Sequence, residues 1–260
     1  MFQKLRFAIL FSALAAWASG GCRSESSENA ADSAETQTAS ADSPASALSD
    51  VRRDTQYPAA WWALAPKEGS PDWEILPQAA GPGEVILSKR HELGLLSNFA
   101  ATPFEYRGKR YASVEGFWQM MKYPESPDDA RARHPELEWK FTRDEVSQMT
   151  AFEAKKAGDL ASQNMGEMDI DWVTFEGKQM EYRPSEPGEH FRIIVEAMRE
   201  KVRQNPEVQR VLLSTGDLVL KPDHHQGADP PAAWRYHEIL TLLRSELQKG
   251  QGTSSGRETK

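Results

Sequence analysis

In the stretch YASVEGFWQMMKYP, Tyr111 to Pro124, Glu115 and Lys122 are the charged residues in a run that is otherwise mostly aromatic, Met or small. A carboxylate among aromatic side chains suits two kinds of chemistry: it can stabilise a positive charge developing in a reaction, or take a proton from water. It can equally do no chemistry and sit in the first turn of a helix, where the dipole favours an anion. The spacing predicts such a helix. Ser113 is its N-cap, and Pro124 ends it by driving the preceding residue out of helical geometry. On a 3.6-residue period Val114, Phe117 and Met121 form one stripe, while Glu115, Trp118, Gln119 and Lys122 share a second face. A capping Glu115 with a solvated Lys122 leaves Trp118 and Gln119 without a reason to lie there.

Several familiar chemistries lack their residues. There is no glycine-rich phosphate loop of the Walker or dinucleotide type, and no Gly-x-Ser-x-Gly elbow. The sole cysteine, Cys22, precedes the domain, so a cysteine nucleophile is excluded within it. His224 and His225 beside Asp223 are adjacent residues whose side chains diverge on most backbones, and no zincin-type spacing supports them, so no metal is expected. The formal charge of −8 argues against duplex nucleic-acid binding, which needs a basic footprint.

The elements that must position these residues are mostly helices. EVILSK (84–89) reads as a short strand, and FEYRGKRYAS (104–113) as a hairpin turning at Arg107-Gly108 and leading into the opening helix. Thr142 with Glu145, and Thr150 with Glu153, are Thr-x-x-Glu capping boxes, each starting a helix. Phe191, Ile194, Val195, Met198 and Val202 keep helical spacing, as do Val208, Val211 and Leu212. Trp234, Ile239, Leu240, Leu242, Leu243 and Leu247 make a last amphipathic helix, and STGDLVLKPDHH before it holds a Gly turn and a strand-like run. The expected class is mainly α with a small β element, a single α+β domain over 55–248.

Ahead of that domain, residues 2–18 have a basic start (Lys4, Arg6) and an apolar run too short for a comfortable membrane span. The run ends at ASGGC, which resembles a bacterial lipoprotein signal with its lipobox, although Ser19 stands where Leu is usual. That resemblance implies a signal peptide over 1–21, a lipidated Cys22, and a protein anchored by its N-terminal lipid to a membrane of the bacterial envelope, on the periplasmic or surface face. Ordinary secretory cleavage nearby is the alternative. Residues 23–50 contain no aromatic side chain and too little apolar surface to offset the entropy of ordering, so 22–54 is expected to be a disordered tether. A disordered tail is expected over 249–260.

Four segments, in order, carry a wider resemblance: the Ser97-Asn98-Phe99 block, the Ser-x-Glu…Gln of Ser113 to Gln119, Glu153-Ala154-Lys155, and Leu213-Ser214-Thr215-Gly216-Asp217. Together they resemble the NADAR superfamily over about residues 85–247. That superfamily includes N-glycosidases acting on riboflavin-biosynthesis intermediates and enzymes that remove ADP-ribose from nucleobases. The resemblance implies an N-glycosidase without a cofactor, hydrolysing a ribosyl–base bond in a nucleotide-like or ADP-ribose-like small molecule. Cleavage passes through an oxocarbenium-like state, the positive charge that a carboxylate such as Glu115 would serve. By the same resemblance Asp223 is the second acid and Trp172 the central aromatic of the site. Trp118 and Phe99 can stack on a base, Lys122 and Lys155 can meet phosphates, and Gln119 accompanies Glu115. Asn98 can bond ribose hydroxyls or cap the local backbone. Three features depart from the family pattern: Gly116 where His is usual, KPDHHQGADPPAAW where Asp precedes Trp-Gly-x-Gly, and a run from Glu125 to Trp139 that looks like an insertion. They leave open a catalytically altered nucleotide- or ADP-ribose-binding lipoprotein, and an envelope scaffold.

Overall fold

The structure, a computed structural model, describes residues 56–255 apart from Pro135. The signal peptide, Cys22, the whole of the tether and the last five residues of the tail lie outside the described residues. What is described is mainly α with a small β element. The helices are α1 (Val114–Met120), α2 (Arg143–Ser147), α3 (Ala151–Glu167), α4 (Glu189–Gln204), α5 (Pro206–Ser214) and α6 (Tyr236–Ser255). The strands are β1 (Glu84–Ile86), β2 (Phe104–Tyr106), β3 (Lys109–Tyr111), β4 (Trp172–Phe175), β5 (Lys178–Glu181) and β6 (Val219–Lys221).

The short helix α1 is the centre of the molecule. Every residue from Val114 to Met120 is buried, because α3 covers one side and α2 and α4 the others. Ser113 caps it as its type predicts, with Oγ accepting from the amide of Gly116 at 2.9 Å. Its Val114–Phe117–Met121 stripe joins an aromatic core in which Phe117 meets Phe104, Tyr106, Tyr111 and Phe175 edge-on. Gly116 has a local packing reason. A Cβ there would lie 2.5 Å from the carbonyl oxygen of Met149 and 2.8 Å from that of Val146, so α1 approaches this turn more closely than any side chain allows.

The strands form three two-stranded sheets. β2 and β3 are the expected antiparallel hairpin, its turn made by Arg107 and Gly108, both at positive φ. β4 and β5 make a second hairpin through Glu176-Gly177, not foreseen from the sequence; its four-residue arms are too short for periodicity to reveal. β1 and β6 pair in parallel, Val85 opposite Leu220, although most of the chain lies between them. Their parallel sense brings the segments following both strands to the same end, which sets up the site.

Two other expectations are corrected. Thr142 and Glu145 form a reciprocal capping box, whereas the Thr150 side chain makes no cap hydrogen bond. Thr150 itself keeps an extended backbone, and the chain enters α3 through Ala151 at φ 50°. The terminal helix does not stop at residue 248 but continues to Ser255, since no proline follows to halt propagation. The run from Glu125 to Trp139 is tied into the core. Arg131, 1% exposed, donates to the carbonyls of Met121 and Lys122 at 3.0 Å each and pairs with Asp129 at 2.7 Å. It thereby satisfies carbonyls left free at the end of α1.

Candidate functional site

A cleft of about 720 Å³ opens beside α1. Its wall contains the second face of that helix: Glu115, Trp118, Gln119 and Lys122 all line it. This face is not wet. Glu115 is 7% exposed and Lys122 2% exposed. Glu115 accepts a hydrogen bond from Gln119 Nε2 at 2.7 Å, one helical turn on. Burial raises its pKa above the ordinary carboxylate range, against the hydrogen bond from Gln119 and the charges of Lys122 and Lys155. Gln119 lies flat on α3 because Gly158 leaves room: a Cβ at that glycine would overlap the Gln119 amide. Lys122 is held by the Gly158 carbonyl at 3.1 Å and Ser162 Oγ at 2.8 Å, with its Nζ 4.8 Å from the centre of the Tyr182 ring.

Trp118 donates from Nε1 to Tyr182 Oη at 3.2 Å, and both rings pack edge-on against His190. His190 is fully buried, and neither of its ring nitrogens has a hydrogen-bond partner. Burial, with the nearby charge of Lys122, lowers its pKa to about 4, so the imidazole is neutral behind the cleft wall.

The second acid sits where the parallel strands end. Asp223, just past β6, is ion-paired with Lys89, just past β1. Tyr236 Oη donates to Asp223 Oδ1 at 3.0 Å and accepts from the Asp223 amide at 3.1 Å, while His224 Nδ1 lies 2.9 Å from the same Oδ1. Burial pushes the Asp223 carboxyl upward, but the hydrogen bond from His224 and the Lys89 ammonium outweigh it and leave the group below its usual range. The two carboxyls of the cleft are therefore displaced in opposite directions.

Aromatic rings frame the mouth. Phe99 meets Phe152 edge-on at 5.2 Å, Trp73 lies 6.3 Å from Phe152, and the Lys89 ammonium is 5.2 Å from the Phe99 ring centre. Elsewhere on the lining, the Arg183 guanidinium lies 5.0 Å from Tyr182 and 5.3 Å from Trp234. Lys155 lines the cleft from α3 and is paired with Asp159 at 2.6 Å, with 47% of its side chain exposed.

Glu115, Asp223, Asn98, Phe99, Trp118, Gln119, Lys122 and Lys155 are thus brought to one cleft. Trp172 is not. It begins β4, half-buried, with its ring 4.8 Å from the Arg131 guanidinium. Tyr182 and Trp234 supply aromatic surface in the cleft instead. Sequence reasoning missed Lys89, Trp73, Tyr182, Arg183 and Tyr236. None of them falls inside a motif, and the fold alone brings them to the cleft. Among the described residues no three of His, Cys, Asp or Glu converge as metal ligands.

No protein-family model matches the chain, and no curated protein does. Among solved structures it is similar to the NMR structure of the E. coli protein YbiA, at 20% identity and a TM-score of 0.41. The match covers 64% of this chain and 86% of that one. A likeness of that size fixes neither activity nor ligand.

Proposed function

We propose that the chain is an N-glycosidase of NADAR type, hydrolysing the ribosyl–base bond of a nucleotide-like or ADP-ribose-like substrate. The observation that carries this reading is the pair Glu115 and Asp223, lining one cleft with acidities displaced in opposite directions. In the reaction the C1′–N electron pair leaves with the base, and a water oxygen supplies the new bond to C1′. The proton released by that water passes to the ionised Glu115 and from it to the departing nitrogen. Asp223 remains an anion and stabilises the oxocarbenium charge. Trp118, Tyr182 and Phe99 offer faces and edges to planar rings, and Lys89, Lys122, Lys155 and Arg183 offer cations to phosphate oxygens.

A second reading, binding without turnover, is favoured by the Lys89–Asp223 ion pair, which already compensates the charge of the second acid. Incubating the purified protein with ribosylated bases and ADP-ribosylated nucleobases, and detecting free base by mass, separates the two. Base released by the wild type and lost in Asp223→Asn supports hydrolysis. Tight ADP-ribose binding without base release supports the second reading and refutes the first.

Attachment to the cell envelope through a lipid on Cys22, with 22–54 as its tether, belongs to the same proposal and rests on the sequence. Cys22→Ser should move the protein out of the membrane fraction; unchanged fractionation, with no lipid mass on the wild type, refutes it.

A further inference from the structure

The loop Ser97–Phe99 lies on the cleft wall, and its three successive carbonyls are held by three different helices. Lys201 of α4 donates from Nζ to the Ser97 carbonyl at 2.6 Å. The amide of Glu115, at the start of α1, donates to the Asn98 carbonyl at 2.9 Å, and that of Ala151, at the start of α3, to the Phe99 carbonyl at 3.0 Å. Two of these donors are backbone groups that any sequence would offer at a helix start. The third is a side chain. Lys201 is 1% exposed, and its pKa falls to about 7 with burial as the cause. An ammonium in an apolar interior is costly, and a methionine would fill similar space without that cost. What the ammonium adds is its bond to the Ser97 carbonyl.

The consequence is felt on the cleft side of the loop. Asn98 Oδ1 is buried there without a hydrogen-bond partner, and the Phe99 ring lies beneath the Lys89 ammonium. The Ser97 carbonyl also accepts from the Ala100 amide at 3.1 Å, a bond within the loop itself, so Lys201 is what ties this carbonyl to the core. Without it the loop would shift as a unit, letting both side chains turn and loosening the Asn98 carbonyl that receives the Glu115 amide. We propose that Lys201 is a positioning residue of this site: from the core it fixes the 97–99 loop so that Asn98 and Phe99 are pre-set for a ribose-and-ring ligand. This rests on the reading of the cleft as a nucleotide-like site.

The test uses the full-length protein with Lys201→Met and Lys201→Arg, read by amide hydrogen exchange and by calorimetric titration with ADP-ribose. Lys201→Met should raise exchange of the 98–100 amides at least about tenfold while that of α5 stays unchanged. It should weaken ADP-ribose binding by about tenfold or more, and Lys201→Arg, which keeps a donor, should recover part of both losses. A uniform rise in exchange across 98–100 and α5, or no change at 98–100, overturns the proposal. If Lys201→Met does not fold, the same selective-versus-uniform comparison is read from Lys201→Arg. Absence of ADP-ribose binding in the wild type would overturn the functional reading, while the exchange comparison would still decide whether Lys201 holds the loop.

Discussion

Lys89 and Asp223, 134 residues apart in the chain, form an ion pair at the shared end of two parallel strands. The pair is asymmetric: the Asp223 side chain is 3% exposed and that of Lys89 29%. Asp223 also keeps Tyr236 and His224. Lys89→Met should therefore cost about 1–2 kcal/mol, less than the 3–5 kcal/mol typical of breaking a fully buried pair. The Asp223 carboxyl lies below its unfolded value, so its contribution is present above that value, near 3.8, and is lost as pH falls through the folded pKa. Melting temperature from pH 7 to 3 should show a weaker acid dependence in Lys89→Met than in the wild type. An unchanged acid profile contradicts this account.

Glu115 is displaced the other way. Its stabilising share is fully present below the unfolded pKa, near 4.5, and is lost as pH rises through the raised folded pKa, so the wild type bears its cost at pH 8. Glu115→Gln should leave the melting temperature at pH 8 equal or higher, while base release falls by about a hundredfold or more. A lower melting temperature with wild-type base release would reduce Glu115 to a helix cap.

The same group sets a pH dependence of turnover. Because the ionised carboxylate takes the proton from water, kcat/KM should rise with pH through a limb above the ordinary carboxylate range. Lys155, whose charge lowers that pKa, should move the limb upward when changed to Gln. A limb at the ordinary carboxylate position in both proteins contradicts the assignment.

Gly116→Ala tests the close approach of α1 to the 146–149 turn. Its Cβ would meet two backbone carbonyl oxygens, which cannot rotate aside as a side chain can. About 1–3 kcal/mol of stability should be lost, as for other overpacked cores. Denaturant unfolding measures it, and a loss under half a kcal/mol would show that the turn moves freely.

His190 predicts a stability loss in mild acid. A histidine held neutral in the fold contributes stability that is present above the unfolded pKa, near 6.5, and lost as pH falls toward the folded value of about 4. Since its ring nitrogens have no partners, His190→Phe gives up no hydrogen bond and keeps the edge-on contacts with Trp118 and Tyr182. Relative to wild type, the variant should gain about 2 kcal/mol more at pH 5 than at pH 8. Equal differences at the two pH values refute it.

Local signals alone sufficed for much of this molecule. Ser113 before an apolar helix, Thr142 with Glu145, Arg107-Gly108 between alternating arms, and the 3.6-residue stripe of α4 each act within one or two turns of chain. Interactions that close over so few residues are written in neighbouring side chains, and the shared face of Glu115, Trp118, Gln119 and Lys122 follows from them. Tertiary packing settled the rest. Whether that face meets water or a cleft depends on α3, whose Gly158 lets Gln119 lie flat. Lys89 joins Asp223 because two three-residue strands pair in parallel, an event with no local periodicity to announce it. Trp172 lies outside the cleft, with its ring against Arg131, a residue from a separate part of the chain. Lys201 resembles any helical lysine until the fold buries it against Ser97. Long-range contacts of this kind carry no signature near the residues that make them, since their energy is gained only when distant segments exclude water together.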